Sequence, residues 1–385
     1  MSTDRLTTDL LRVLHVHAGN MYGGVESMLL THVRERDLCP SLETSFALCF
    51  AGRFSAELTA AGATVHSLGE VRVRQPLSVR GARQQLTKLL RRGDFDVVVT
   101  HSCWSHAIFA PAVRAAALPL VFYMHSPASG KHWLERWARR TPPDLVLCNS
   151  NFTAAASAQL FPEVKTEAVY CPVAVPALVD VYKVRNEVRT ELQTPPESTV
   201  IIQVSRMEAW KGQAQHLEAL GLLKDLPGWV CWLVGGAQRP AEISYVDELK
   251  RIAIRSGIED RVRFLGQRSD VERLLLVADI FCQPNTAAEP FGIAFIEALA
   301  AQLPVVTSNI GGACEIVDDA CGVLVPTGNV PALVETLRNL IQNCALRERL
   351  GSAGPARARE LCSPTTRINQ FHRALGPLVS EARPN

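Results

Sequence analysis

The sequence predicts an α/β protein of two tandem domains, each built on a parallel sheet. Three observations predict it. The chain has 385 residues, enough for about two domains with separate cores. Hydrophobic residues make up 47% of it and charged residues 20%, the balance of a folded chain rather than a disordered one. Short apolar runs alternate with amphipathic stretches through both halves, the rhythm of βα units.

The elements follow in order. A first strand is expected at Arg12–His17, then a glycine-rich turn and a helix from about Gly24. Further strands are expected at Thr44–Phe50, Val97–Thr100, Leu120–Tyr123, Leu145–Cys148 and Glu167–Tyr170. Pro172 and Pro176 mark Cys171–Asp180 as the connection between domains. A helix over Val181–Leu192 restarts the rhythm. Strands then follow at Val200–Val204, Val230–Val234, Val262–Phe264, Ile280–Gln283, Val305–Thr307 and Gly322–Val325, and a last helical stretch at Arg367–Leu378. The expected domains are 1–175 and 176–365, with 366–385 as a C-terminal helix and tail.

Composition excludes several classes. A net charge of +2 argues against nucleic acid as a partner. No run approaches the roughly 18 apolar residues of a membrane span, and the polar, acidic N-terminus does not suit a signal peptide, so a cytoplasmic chain is expected. The 11 cysteines include no Cys-x-x-Cys pair and mostly sit in apolar runs, which reads as buried thiols.

The chemistry concentrates in the run EPFGIAFIE at 289–297. Pro290 and Gly292 should hold the helix start to about Phe291, leaving Glu289 just outside it and Glu297 within it. Phe295, Ile296 and Leu299 surround Glu297 with apolar surface. A carboxylate there costs several kcal/mol unless hydroxyls, such as those of a ribose, donate to it. The amides of Phe291, Gly292 and Ile293 make a helix N-terminus suited to negative charge. The pattern Glu-x7-Glu resembles the signature of the retaining glycosyltransferases of the GT-B fold, family 4. The resemblance implies two facing Rossmann-like domains with the ligand between them and a C-terminal helix crossing back to the first.

Other segments extend it. Ser205-Arg206, with Lys211-Gly212 beyond, follows a strand and puts two cations where a diphosphate can be held; it resembles the family's Gly-Arg-Leu-x-x-x-Lys-Gly element with Ser205 in place of glycine. Taken alone, these are equally two surface charges. Gly23 and Gly24, after the first strand, let a phosphate or sugar approach the backbone, and resemble a family Gly-Gly-x-Glu loop near the donor. His125 follows the Leu120–Tyr123 strand and matches the family histidine that faces the donor sugar. Phe264 resembles a residue against the nucleotide base, although core packing explains it as well. His101 and His106 read as structural or solvated histidines, or as the acceptor lining. The turn around Gly311 and Gly312 reads as structural. Asp94 and Asp96 spell a metal-binding Asp-x-Asp but sit at the amino end of a strand, the wrong edge for a ligand.

The resemblance implies transfer of a hexose-type sugar, with retention, from a nucleotide sugar to a glycan, lipid-linked or small-molecule acceptor, with no metal or cofactor. Glu289 and the Phe291–Ile293 amides would bind the sugar, Glu297 the ribose, and Arg206 with Lys211 the leaving diphosphate. A nucleotide-sugar epimerase or phosphorylase and a non-catalytic sugar-nucleotide-binding subunit are the alternatives. Arg80, Arg83, Lys88, Arg91 and Arg92, and the stretch Lys131–Arg140 with Trp133 and Trp137, suit contact with an anionic membrane or form a solvated basic face.

Overall fold

A computed structural model describes residues 10–174 and 180–382. The chain divides into two compact units, one made of the residues up to Pro172 together with Ser363 onward, the other of Val173–Cys362. Residues 175–179 of the expected interdomain connection lie outside the described residues.

The first unit carries β1 (Leu11–His17), β2 (Leu42–Leu48), β3 (Thr64–Ser67), β4 (Val97–His101), β5 (Leu120–Met124), β6 (Leu145–Cys148) and β7 (Thr166–Ala168). They form one seven-stranded sheet, order β3-β2-β1-β4-β5-β6-β7, with every pair parallel. β4 and β5 are buried at every position, as strands covered by helices on both faces must be. β3 was not expected. It is a four-residue edge strand with no buried position, so it lacks the apolar run that marks the others.

Asp96 sits at the amino end of β4, where its carboxylate accepts the Arg12 N–H at 2.8 Å. The Asp-x-Asp pattern thus pins the start of β1. The C-terminal helix Pro364–Ala382 belongs to this unit. Ile368, Phe371 and Leu375 share one face of it and are buried, with the Phe371 ring stacked 5.8 Å from His15 and edge-on at 5.1 Å from His32. Burial of such a phenylalanine contributes about 2–3 kcal/mol, which ties this helix to the sheet face.

The second unit carries β8 (Thr199–Val204), β9 (Trp229–Val234), β10 (Val262–Gly266), β11 (Ile280–Gln283), β12 (Val305–Ser308) and β13 (Gly322–Val325). These form a six-stranded parallel sheet in the order β10-β9-β8-β11-β12-β13. Asp279 pins this sheet as Asp96 does the other, accepting the Val200 N–H at 2.7 Å while paired with Arg185 and Arg189. No described helix is long and apolar enough to cross a membrane. None of the 11 cysteines is in a disulfide, and only Cys314 and Cys344 are exposed.

Candidate active site

In the second unit, strand order reverses between β8 and β11. Loops at the carboxyl ends of two such strands splay apart and leave a ligand crevice. The loop after β8 carries Arg206 and ends in a 3-10 turn, Ala209–Lys211. Gly212 closes it at φ +76°, and a Cβ there would run into the Pro284 carbonyl, so only glycine lets the Lys211 loop lie against the loop after β11. Gly212→Ala is expected to cost about 2 kcal/mol or more through strain and this clash. A denaturant titration with unchanged stability would show that the two loops are not in contact.

Across this seam Lys211 Nζ lies 2.6 Å from Glu289 Oε2, with both side chains largely buried. Gln283 Nε2 and Asn285 Nδ2 donate to the same oxygen at 3.2 and 3.1 Å. The Glu289 backbone is held by a parallel bridge to Gly311 and by the Gly312 N–H, which donates to its carbonyl at 2.7 Å. The Gly311–Gly312 turn therefore serves Glu289. A Cβ at Gly311 would sit 2.5 Å from the Glu289 carbonyl.

The helix after Glu289 begins at Ile293, with Gly292 as its cap at φ +112°. Phe291 is buried, and Gly292 and Ile293 supply the first amides of the helix. Glu297 lies within this helix among the buried Phe295, Ile296, Ala298 and Leu299. Its carboxylate accepts a hydrogen bond from no described residue. Burial, with a smaller contribution from Glu272, raises its pKa to about 7.

Arg206 is also occupied. Its Nη2 donates to Glu208 Oε2 at 2.9 Å, and the Trp210 indole N–H donates to the same oxygen at 3.1 Å. The Trp210 ring in turn lies 4.0 Å from Lys211 Nζ. Both expected diphosphate cations are thus paired with carboxylates. Phe264 is half-buried on the edge strand β10 and packs against the core of the unit.

In the first unit, strand order reverses between β1 and β4. Gly23 caps the helix Gly24–Arg34, and its N–H donates to Glu26 Oε2 at 2.8 Å, so this amide is engaged by the loop's own helix. Glu26 Oε1 lies 3.4 Å from His17 Nε2. His125, just beyond β5, ends a chain of imidazoles: His15 Nδ1 to His101 Nε2 and His101 Nδ1 to His125 Nε2 are both 2.9 Å. Burial holds all of them neutral at pH 7, lowering His125 to about 3 and His17 to about 4. His101 is therefore neither solvated nor isolated. His106 is structural, bonded to Thr100 Oγ1 and to the Thr141 carbonyl, each at 2.8 Å.

The expected residues fall into two groups. Arg206, Lys211, Phe264, Glu289, Phe291, Gly292, Ile293 and Glu297 lie in the second unit, and Gly23, Gly24 and His125 in the first. Glu208, Trp210, Gln283, Asn285, His15 and His17 join them without having been singled out. Gln283 and Asn285 had a readable signal, two amides directly after an apolar strand and just before Glu289.

In each unit polar side chains gather where strand order reverses, the place where open α/β sheets bind ligands. Residues 184–357 match the glycosyl transferases group 1 family, and residues 43–175 match Glycosyltransferase Family 4. Together the two matches span most of the chain, which is a glycosyltransferase of this group 1 and family 4 type with the GT-B fold. It is 28% identical to a phosphatidyl-myo-inositol mannosyltransferase of Mycobacterium leprae, over 69% of this chain and 70% of that one. It is 26% identical to the human alpha-1,3/1,6-mannosyltransferase ALG2, over 74% of each chain. Among solved structures it resembles Anabaena Alr3699/HepE in complex with UDP-glucose, with TM-score 0.82 and 25% identity over 95% of this chain and 100% of that one.

Proposed function

We propose that this protein transfers a hexose from a nucleotide sugar to a glycan or lipid-linked acceptor, with retention and without a metal. The observation that carries the reading is the segment from Glu289 to Glu297. One carboxylate is fixed beside Lys211 with its second oxygen free, and the other is left without a protein donor in apolar surroundings. Sugar hydroxyls would donate to the first and ribose hydroxyls to the second. Lys211 and Arg206 would exchange part of their carboxylate contact for the diphosphate as charge builds on it, which supplies the cationic stabilisation a metal gives elsewhere.

Retention without a covalent intermediate follows from the state of Glu289. The charge of the Glu289 carboxylate is drawn toward Lys211 and two amides at Oε2, which weakens its open oxygen Oε1 as a nucleophile. The acceptor hydroxyl therefore attacks the anomeric carbon on the face from which the diphosphate leaves. The bond from carbon to diphosphate oxygen breaks, the new glycosidic bond forms, and the hydroxyl proton passes to the departing diphosphate. A glycosyl-enzyme on Glu289 seen by intact mass would overturn this.

A lipid-linked acceptor is supported by the phosphatidyl-myo-inositol named for the mycobacterial relative and by the surface of the first unit. Leu77 is 81% and Trp133 50% exposed, among the exposed Arg80, Lys88, Arg91, Arg92, Lys131, Arg136 and Arg140. A cytoplasmic enzyme peripheral to an anionic membrane fits that face.

The test is a thermal-shift panel of UDP-, GDP-, ADP- and dTDP-sugars, with and without EDTA. One base is expected to raise the melting temperature by several degrees, EDTA or not, and to lose that effect in Glu297→Ala. No shift with any donor would favour the non-catalytic subunit.

A further inference from the structure

Glu289 Oε2 receives three donors, Lys211 Nζ at 2.6 Å, Asn285 Nδ2 at 3.1 Å and Gln283 Nε2 at 3.2 Å, whereas Oε1 receives none from any described residue. We infer that Gln283 and Asn285 are positioning residues that lock the Glu289 carboxylate so that Oε1 alone is presented to the donor sugar. This rests on the donor-site reading above.

The amide pair is built for the task. Gln283 Nε2 also donates to Asn285 Oδ1 at 2.9 Å, which fixes the Asn285 amide with its NH2 toward Glu289. The Asn285 N–H donates to the Gln283 carbonyl at 3.0 Å, and Thr307 Oγ1 donates to that carbonyl at 2.9 Å, so the backbone under both amides is held as well. Asn285 is 0% and Gln283 2% exposed, and the Gln283 Oε1 atom is buried without a partner. Leaving a buried acceptor unpaired costs free energy, and a leucine at this position would avoid it. The residue holds its NH2 between two acceptors at that cost.

The charge balance points the same way. Lys211 alone could pair with either carboxylate oxygen by a rotation of the Glu289 side chain. Two neutral amides remove that freedom without adding a charge, so the balance of the Lys211–Glu289 pair is left as it is. A carboxylate held within a fraction of an ångström and about 10–20° is what selective recognition of sugar hydroxyls requires.

The inference predicts an effect directed at the sugar and not at the nucleotide. Asn285→Leu and Gln283→Leu are compared with wild type by calorimetric titration of UDP-glucose, GDP-mannose, UDP and GDP. Each variant is expected to bind the accepted nucleotide sugar at least tenfold more weakly and its nucleoside diphosphate within twofold of wild type. Equal weakening of both ligands, or of neither, overturns the positioning role. A wild type that binds none of these, nor any ADP- or dTDP-sugar, overturns the donor-site reading itself, and the inference with it. Asn285→Asp keeps the shape should the leucine variants fail to fold. It puts a second carboxylate against Oε2 and near Lys211, so it is expected to weaken the nucleoside diphosphate as well, and the nucleotide sugar at least tenfold further. Wild-type behaviour in Asn285→Asp also overturns the inference.

Discussion

Glu289→Gln is expected to slow glycosyl transfer by about a thousandfold while leaving nucleoside diphosphate affinity equal to, or above, that of the wild type. The size follows from removing a charged hydrogen-bond acceptor from the reacting sugar in a water-poor site, where such a contact is worth roughly 10²–10³ in rate. Orientation adds to it, because the glutamine oxygen can face the three donors or the sugar but not both, and its other end is an NH2 that donates. The direction for the diphosphate follows from the pair. Lys211 loses its counter-charge and becomes a largely buried cation without a carboxylate partner at Nζ. Breaking a buried pair from one side typically costs about 3–5 kcal/mol, so the free variant should melt lower. A diphosphate would then restore the missing negative charge and should stabilise the variant more than the wild type. Single-turnover rates, melting curves and calorimetry with the diphosphate check the three parts together. Transfer within tenfold of wild type would remove Glu289 from the reaction.

The strands were legible where they are buried on both faces. Val97–Thr100 and Val230–Val234 are continuous apolar runs, and the sheets use them as expected. β3 was hidden because an edge strand needs no such run. The chemistry of the Glu289 segment was legible because proline and glycine fix where a helix can begin, which places one glutamate before it and one inside. The partners of Glu289 were not. Lys211 is 78 residues away, and its proximity depends on β8 and β11 being neighbours, a fact of strand order that local pattern does not carry. The His15–His101–His125 chain is the same case, with strands β1, β4 and β5 setting the rings side by side. Glu208 was different. It lies two residues from Arg206, close enough along the chain to be readable as its partner.

Glu297→Gln should raise the stability of the free protein at pH 8, leave it unchanged near pH 4, and weaken nucleotide binding by about a hundredfold. The sign comes from the raised pKa. Below about 4.5 the carboxyl is protonated in both folded and unfolded chains and contributes nothing. As pH rises from 4.5 to 7, the unfolded chain gives up its proton and the folded one keeps it, so stability falls through that window and stays lower above pH 7. A shift of this size corresponds to at most about 3 kcal/mol, which the glutamine would recover. Nucleotide binding runs the other way. Two ribose hydroxyls donate best to an ionised carboxylate, so binding should expel a proton near neutrality and weaken as pH falls below 7. The glutamine cannot accept two hydroxyls at one charged edge, and its weak binding should be flat from pH 6 to 8. Glu272, the second cause of the shift, supplies the control. Glu272→Gln should lower the pH at which wild-type affinity begins to fall, without the loss in maximal affinity. Melting curves at pH 4 and 8, with calorimetry in two buffers of different ionisation enthalpy, separate these effects. A stability gain of equal size at both pH values would mean that glutamine packs better there, and that the carboxylate is not held in readiness for a ribose.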